Sequence, residues 1–376
     1  MAEMENAIRE PEENEINQQK GPNHDFGSRT FSHGRESRCR RFPWESHFLF
    51  GAMAGKNRIF AVDDCMPGMP HKNVATRRKL FFIAAVQDLI SKAATLLEAL
   101  PYIQKFSGEI FVVKYGGSFM DSPDPAVRNG VARDIVFLEA VEINPVVVHG
   151  GGKAITRAME KAGLKASFIQ GQRVTDEKTV EIVDHVLSRE INPEVVATIN
   201  SLGGAAKGFA GPDIFKCRKI YVKSPDGQQH DIGYVGEVIE VNTAPLIECI
   251  QRGITPVISP TARGEDGKIY NCNADVAAAQ VAIALKAKRL VFMSDVPGLM
   301  RDPKDPATVI PHLKTGEVDG LKAAGIVDKG MIPKVDSAVA AIKSGVEKVS
   351  FVDGRVPHAV LLEIFTDAGV GTEVVL

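Results

Sequence analysis

Two glycine-rich turns carry the clearest chemical signal in this sequence of 376 residues. The first, KYGGS, spans residues 114–118 after the apolar run IFVV, and the second, HGGGK, spans residues 149–153 after PVVV. Glycine at the carboxyl end of a strand lets backbone N–H groups approach a ligand, and the N-terminus of a following helix favours an anion. The two turns together therefore predict a phosphate or carboxylate site, although either one alone could be a simple tight turn.

Two lysines are candidates for binding that anion. Lys114 lies where a core-facing strand ends, so its ammonium group needs an anionic partner to offset lost hydration, unless it reaches solvent. Lys334 lies at the start of a helix pattern after GMIP, and alone it could equally be a solvated lysine at a helix end. Two cations at one site suit phosphoryl transfer, in which negative charge spreads over the oxygens of the transferred group.

A short polar segment, NCNAD at residues 271–275, precedes another helix pattern. Asn and Asp commonly cap helix N-termini, which accounts for one of the three polar residues. We expect the remaining polar side chains to hold a substrate and Asp275 to hold the two lysines by charge. The segment SDVPGLM at residues 294–300 could line a nucleotide, or it could be only a Pro-Gly turn.

Composition and missing motifs argue against several other functions. With 45 basic and 47 acidic residues, bulk charge favours neither nucleic acid nor an anionic membrane. The two turns match neither the GxxxxGK[ST] of P-loop enzymes nor the GxGxxG of dinucleotide-binding folds. The five cysteines form no CxxC pair, which argues against a zinc site or a disulfide framework and fits a reducing compartment. No apolar run reaches the ~20 residues that a spanning helix requires.

Strands and helices alternate from residue 108 onwards, which is typical of a parallel sheet covered by helices on both faces. Short β-rich pieces at 220–222, 233–241 and 268–270 predict a hairpin inserted on that sheet. The expected strands are 110–113, 145–148, 255–259, 290–293 and 348–352, and the expected helices include 127–141, 274–285, 333–344 and 357–365.

The beginning of the chain differs in composition from the rest. Residues 1–17 contain six Glu and one Arg, and residues 27–42 contain five Arg and three Ser. Neither stretch has the apolar period of a packed element, so we expect residues 1–83 to be a disordered leader. The Arg and Ser content is typical of an organelle transit segment but the acidic start is not, and a leader without a role in the fold is the alternative. An amphipathic helix is predicted over about 86–100, within a segment 84–107, and is expected to end at Pro101.

Six motifs, taken together and in order, resemble the amino acid kinase family, and within it the branch that phosphorylates N-acetyl-L-glutamate. The likeness covers about residues 84–376. It implies an α/β fold, an open three-layer αβα sandwich with a mainly parallel central sheet. An N-acetyl-L-glutamate-binding lobe would span 108–255 and an ATP-binding lobe 256–376. The motifs are VVKYGGS (112–118), VVVHGGGK (146–153), GQRVTD (171–176), NCNAD (271–275), SDVPGLM (294–300) and KGMIPKV (329–335).

The resemblance implies phosphorylation of a side-chain carboxylate by ATP in arginine biosynthesis. The Mg²⁺ would be held mainly by the nucleotide phosphates, with no metal site on the protein. A carboxylate is ionised at pH 7 and needs no general base, so His149 is expected to be only a structural residue beside the turn.

The resemblance also implies roles for individual residues. Lys114 and Lys334 would stabilise the transferring phosphoryl group, Asp275 would orient them, and Gly117 and Gly151 would donate backbone N–H groups. Arg173 would pair with the substrate α-carboxylate. In full, the catalytic residues would be Lys114, Lys334, Asp275 and Gly117; the substrate-binding residues Gly151, Gly152, Arg173, Asn271 and Asn273; and the nucleotide-binding residues Asp295, Val296, Gly298, Leu299 and Met300.

Regulation is implied by the segments at the two ends of the matched region. The helix before the first strand and the ending LEIFTDAGVGT (362–372) resemble those of arginine-inhibited members that form a homo-hexamer, a trimer of dimers. Arginine would then bind at Glu363 and Gly369 as an allosteric effector, unless the helix merely packs on its own subunit. Residues 347–375 are most similar to the plant and algal branch, which implies the chloroplast stroma and the PII signalling protein as a partner. Without a transit segment, the location would be cytoplasmic.

Two rival functions stay open at this point. One is a kinase for a related acid, such as aspartate, glutamate or an aminoadipate derivative, although the GQRVTD and NCNAD segments favour an N-acetylated substrate. The other is a regulatory binding protein that no longer turns over, and the presence of Lys114, Lys334 and Asp275 argues against it. A hydroxamate assay for an acyl phosphate, run with several acids, separates the three.

Overall fold

The computed structural model describes residues 74–376, except residues 117–119, 121, 123, 224–226 and 328–329. Most of the predicted leader therefore lies outside the described residues. Residues 75–376 form one unit. The strands are β1 Ile110–Tyr115, β2 Asn144–His149, β3 Phe168–Ile169, β4 Gln172–Arg173, β5 Ala206–Phe209, β6 Phe215–Lys223, β7 Gln229–Val241, β8 Thr255–Ile258, β9 Thr261–Gly264, β10 Ile269–Cys272, β11 Arg289–Ser294, β12 His312–Lys314, β13 Lys348–Asp353 and β14 Thr372–Val375.

The helices that accompany these strands are mostly short. A π-helical turn, His185–Ile191, joins two of them, and two 3₁₀ turns occur at Pro306–Thr308 and Thr315–Glu317. The α-helices are α1 Val74–Phe106, α2 Pro125–Ala140, α3 Gly152–Lys161, α4 Glu177–Asp184, α5 Asn192–Ser201, α6 Gly211–Ile214, α7 Ala244–Gln251, α8 Ala274–Ala284, α9 Val318–Ala323, α10 Ile332–Lys343 and α11 Ala359–Ile364.

Eight strands form the central sheet in the order β12-β14-β13-β11-β1-β2-β8-β5. The pairs are parallel except β13 with β14, which is antiparallel. Helices cover both faces, so alternate residues of one strand enter two different cores. Val112 belongs to the core that includes residues of α8 and α10, whereas Phe111 and Val113 belong to the core that includes residues of α2 and α5. The predicted αβα sandwich with a mainly parallel sheet is confirmed.

The expected hairpin insert is wrong in its extent. Strands β6 and β7 do pair as an antiparallel hairpin, but β9 and β10 join them to close a four-stranded barrel. Closure provides hydrogen-bond partners for backbone groups on the outer edges of the hairpin, which would otherwise be unpaired. The strands β9 and β10 have only four residues each. Their alternation of apolar and polar residues is therefore too short to predict a barrel from the sequence.

The first helix is longer than predicted. It begins at Val74 rather than near residue 86, and it continues through Pro101 to Phe106. Proline removes one backbone hydrogen bond from a helix interior. The buried Phe106 ring packs edge-on against Phe111 of β1, with 5.2 Å between ring centroids, and this contact stabilises the last turn beyond the proline. Among the described residues, no helix is long and apolar enough to cross a membrane.

Candidate active site

Lys114 is placed by the centre of the sheet. It is the fifth residue of β1, and in the pairing register it lies beside Val148 of β2 and Phe292 of β11. Only 8% of Lys114 is exposed, because β1 is covered on both faces. The strand therefore brings the lysine to its carboxyl end, where ligands bind in parallel α/β sheets.

Lys114 and Lys334 meet at one buried carboxylate. The Nζ atom of Lys114 lies 3.0 Å from Oδ1 of Asp275, and the Nζ atom of Lys334 lies 2.6 Å from Oδ2. Asp275 is the second residue of α8 and is 7% exposed, while Lys334 is the third residue of α10. The sequence predicted that these three side chains act together, and the structure places them in contact. The alternatives in which either lysine is simply solvated do not hold.

Electrostatics keep Asp275 ionised. Burial by itself raises the pKa of this carboxyl group, but the adjacent Lys114 and Lys334 ammonium groups lower it more strongly, to about 2. The pKa of Lys334 is lowered, chiefly by burial and also by Lys114, against the opposing effect of Asp275. With both lysines protonated the triad carries one excess positive charge in a poorly hydrated site. Such a site stabilises an additional anion.

A cavity of about 260 Å³ lies on one side of this triad. Its lining combines the second glycine turn with a guanidinium group and two amides, which are groups that bind carboxylates and amides through hydrogen bonds. Every substrate-binding residue predicted from the sequence is in this lining. The predicted members are Gly151, Gly152, Arg173, Asn271 and Asn273, and the lining also includes Lys114, Gly150, Phe168, Leu187, Pro260 and Asp275.

A second cavity, of about 360 Å³, lies on the other side. Lys114 lines both cavities, so the two adjoin at this residue, and Lys334 lines the second. The segment that was predicted to border a nucleotide, residues 294–300, contributes nearly half of the lining residues. The lining includes Lys114, Lys334, Asp295, Val296, Gly298, Leu299, Met300, Ile326 and Met331.

Arg173 is held in place by the second glycine turn. Its Nη2 atom donates to the Gly152 carbonyl oxygen at 3.1 Å and to Thr156 Oγ1 at 2.9 Å. Its guanidinium group also lies 4.8 Å from the Phe168 ring centroid. Because burial lowers the pKa of Arg173, a carboxylate bound in the cavity would restore favourable interactions to this cation.

The side chains of Asn271 and Asn273 make different hydrogen bonds. The Asn273 side chain accepts a hydrogen bond from the Asp275 backbone N–H at 2.8 Å, so it is the N-cap of α8. Helix capping, which was the alternative role for one of the three polar residues of NCNAD, therefore accounts for Asn273. The same hydrogen bond fixes Asp275 in the first turn of the helix. Asn271 of β10 donates to Thr175 Oγ1 at 3.3 Å. Both asparagines still line the cavity.

Gly117, which the sequence predicted as catalytic, lies outside the described residues. Gly151, of the second glycine turn, is described, and it is tightly packed. A Cβ atom at this position would lie 2.4 Å from Ile191 Cδ1 and 2.7 Å from Leu187 Cδ2. No local pattern indicates this contact, because Leu187 and Ile191 belong to the π-helical turn, which is a separate element of the chain.

The predicted effector residues, Glu363 and Gly369, line neither of the two cavities at the triad. Glu363 of α11 is 4% exposed; its Oε1 atom accepts from Ser350 Oγ at 2.8 Å and its Oε2 atom from the Val370 backbone N–H at 3.0 Å. Gly369 has a φ of 62°, and a Cβ atom there would lie 2.6 Å from Glu363 Oε2. Glycine is therefore required for the loop to close over the carboxylate.

Within the described part of the chain, no group of three or more His, Cys, Asp or Glu side chains is arranged to hold a metal ion.

Comparisons with known proteins give a consistent result. The model of the amino acid kinase family matches residues 109–353. The acetylglutamate kinase of Carboxydothermus hydrogenoformans is 45% identical over 292 residues, which is 76% of this chain and 99% of the relative. That of Geobacter metallireducens is 48% identical over 297 residues, covering 77% and 99%.

Solved structures show the same architecture. The chain is similar to N-acetylglutamate synthase from Neisseria gonorrhoeae complexed with coenzyme A and N-acetyl-glutamate, with a TM-score of 0.64 and 25% identity. That match covers 76% of this chain and 63% of the synthase chain. Giardia carbamate kinase, at 13% identity and a TM-score of 0.52, covers 72% of this chain and 99% of its own and supports the fold alone.

Proposed function

Because the chain belongs to the amino acid kinase family, we propose that it transfers the γ-phosphoryl group of ATP to the side-chain carboxylate of N-acetyl-L-glutamate, a step of arginine biosynthesis. The relatives named above are acetylglutamate kinases and match this chain over nearly their whole length. The observation that carries the proposal is the meeting of two cavities at the Lys114–Asp275–Lys334 triad.

Each cavity suits one substrate. The cavity with Arg173, Asn271 and the second glycine turn offers donors for the substrate carboxylates and the acetyl amide. The other cavity offers the 294–300 turn and apolar walls for ATP. With the two substrates so placed, the carboxylate oxygen and the γ-phosphorus come together beside Lys114.

The chemistry then needs no proton acceptor, because the attacking carboxylate is already ionised at pH 7. An oxygen of the substrate forms a bond to phosphorus while the bond from phosphorus to the leaving oxygen of ADP breaks. The two ammonium groups lie where negative charge develops, and Asp275 holds them there before the reaction. We place Mg²⁺ on the nucleotide phosphates, where it neutralises further negative charge.

A hydroxamate assay tests this function directly. Incubation with ATP, Mg²⁺ and N-acetyl-L-glutamate should produce an acyl phosphate, which hydroxylamine traps as a coloured hydroxamate. Turnover with aspartate, unacetylated glutamate or an N-acetylated aminoadipate should be much slower, because these acids mismatch the polar groups or the length of the cavity. Preferential turnover of one of those acids would identify the rival kinase, and no turnover with any acid would favour a binding protein.

We propose further that arginine inhibits the enzyme by binding beside Glu363. The supports are the likeness of residues 362–372 to arginine-inhibited members of the family and the buried, preorganised Glu363 carboxylate under the Gly369 loop. A carboxylate in this setting can pair with a guanidinium group through charge-assisted hydrogen bonds. Because Glu363 and Gly369 line neither cavity at the triad, the coupling would be allosteric.

The Glu363→Gln variant should lose most of its sensitivity to arginine. Removing the charge should raise the half-inhibitory arginine concentration by ~10-fold or more, since a hydrogen bond to a charged group is worth roughly 1.5–3 kcal/mol. Rate measurements against arginine concentration check this. Glu373→Gln is the matched control, because Glu373 of β14 pairs with Lys348 of β13 and with His312 of β12. An unchanged inhibition curve in Glu363→Gln would remove Glu363 from the effector site.

The oligomeric assembly and the location of the protein are two further proposals, and each rests on one observation. We propose a homo-hexamer, a trimer of dimers, in which the N-terminal helices of different copies pack together. The support is the apolar exposed face of α1, formed by Leu89, Ile90, Leu96, Leu97 and Leu100. The likeness of residues 347–375 to the plant and algal branch supports a chloroplast location and PII as a partner.

A further inference from the structure

We propose that His149 is a positioning residue that aims the backbone N–H of Gly151 at the transferring phosphoryl group. The inference rests on the proposed kinase function and concerns the second glycine turn. His149 is the last residue of β2 and has no exposed surface. Its ring lies directly behind the turn that lines the cavity beside Lys114.

Both ring nitrogens of His149 have specific neighbours. The Nδ1 atom lies 3.1 Å from the Gly150 carbonyl oxygen, and the Nε2 atom lies 3.2 Å from Nδ2 of Asn192. Asn192 is the first residue of α5, and it is itself fixed by β8, since its Nδ2 atom donates to the Val257 carbonyl oxygen at 2.9 Å. The imidazole thus links two strands and a helix to the turn.

The hydrogen-bond network assigns the tautomer. The Asn192 amide nitrogen can only donate, so Nε2 of His149 must accept and the ring proton must be on Nδ1. Nδ1–H then donates to the Gly150 carbonyl oxygen. Burial lowers the pKa of His149 to about 4, so the ring is neutral at pH 7, as this assignment requires.

Because the peptide unit is planar, the hydrogen bond to the Gly150 carbonyl oxygen also fixes the direction of the Gly151 N–H. In a trans peptide the carbonyl oxygen of Gly150 and the N–H of Gly151 point in opposite directions, and no described peptide bond is cis. A bond that holds the oxygen toward His149 therefore holds the N–H away from it. The Gly150 N–H is fixed as well, because it donates to the Tyr115 carbonyl oxygen at the end of β1, at 2.7 Å. Gly151 thus has one defined orientation beside the triad.

Two substitutions separate this role from simple filling of the core. The side-chain amide of asparagine falls near the Nδ1 position of histidine, whereas that of glutamine falls near the Nε2 position. His149→Asn can keep the donor to Gly150 and loses the contact with Asn192. His149→Gln can keep the contact with Asn192 and loses the donor to Gly150. A residue that only fills space would favour glutamine, which is closer to histidine in volume.

We expect kcat of His149→Gln to fall by ~10-fold or more. Removing a donor to a developing oxyanion lowers kcat by roughly 100-fold, and in this variant the Gly151 N–H is still present but no longer correctly oriented. His149→Asn should keep kcat within ~3-fold of wild type. The KM for N-acetyl-L-glutamate should change little in both, since the bond is used mainly in the transition state. The same pair of substitutions at His185, which is exposed on the π-helical turn, is the matched control. Equal kcat in the two His149 variants, or a higher kcat for His149→Gln, would overturn the proposal.

A measurement on the wild-type protein covers the case in which these variants do not fold. In the wild-type protein, ¹⁵N NMR should show the His149 proton on Nδ1, and a proton on Nε2 would also overturn it. A wild-type enzyme that makes no acyl phosphate would instead refute the kinase function, so the two failures are distinguishable.

Discussion

Replacing Lys114 or Lys334 with alanine should lower kcat by ~100-fold or more, equivalent to a loss of about 3 kcal/mol of transition-state stabilisation. Both ammonium groups are buried and lie within 3.0 Å of the same carboxylate, at the junction of the two cavities. In so poorly hydrated a site, water cannot replace a missing ammonium group against the charge on the phosphoryl oxygens. The hydroxamate assay with both substrates near saturation measures kcat directly.

The pattern of kinetic constants identifies the role. If the lysines act mainly on the transition state, kcat and kcat/KM should fall together while KM changes little. Lys322→Ala is a suitable control, because Lys322 pairs with Asp336 of α10, the same helix that carries Lys334, but at a partly exposed position. Turnover close to wild type in Lys114→Ala or Lys334→Ala would refute the assignment of that lysine.

The Asp275→Asn variant should lose a comparable amount of activity although its side chain has almost the same shape. Without the carboxylate, two buried ammonium groups would face each other with no counter-charge. Breaking a buried ion pair on one side costs ~3–5 kcal/mol, unless a lysine loses its proton. We expect Lys334 to do so, because its pKa is already lowered by burial and by Lys114. The kcat of this variant should fall by ~100-fold at pH 7.

The same substitution should change how stability depends on pH. The pKa of Asp275 is about 2 in the folded protein, against ~3.9 in an unfolded chain, so the group binds protons more weakly when folded. It therefore contributes stability above about pH 4, and that contribution is lost as the pH falls toward 2. A shift of this size corresponds to about 2–3 kcal/mol.

Thermal unfolding from pH 7 down to pH 2 checks this dependence. The wild-type advantage over Asp275→Asn should be present at pH 7 and shrink below pH 4. Asp231→Asn serves as the control, because Asp231 forms an exposed ion pair with Lys219 on the barrel, where solvent screens the interaction. A difference between wild type and Asp275→Asn that stayed constant over the whole range would contradict the ionised triad.

Much of the fold could be predicted because its local signals agree with the tertiary structure. The apolar run at the start of β1 ends in a glycine turn, and the described β1 covers that run and reaches Tyr115. Strands buried on both faces read as continuous apolar segments, which are easy to recognise. The barrel was missed, because β9 and β10 have only four residues each and close it by pairing with β6 and β7, which lie earlier in the chain. The passage of α1 through Pro101 was missed because the stabilising partner, Phe111, belongs to another element.

The sequence by itself determined which chemical groups are available: two lysines, one acid, two glycine turns and a polar segment ahead of a helix. Residue type and spacing carry that information, since a turn needs glycine and a cap needs a short polar side chain. Only the tertiary structure decided that Lys114, Asp275 and Lys334 touch, and that Asn192 orients the His149 ring. These contacts join residues far apart in the chain, and their energies depend on burial, which no local pattern encodes.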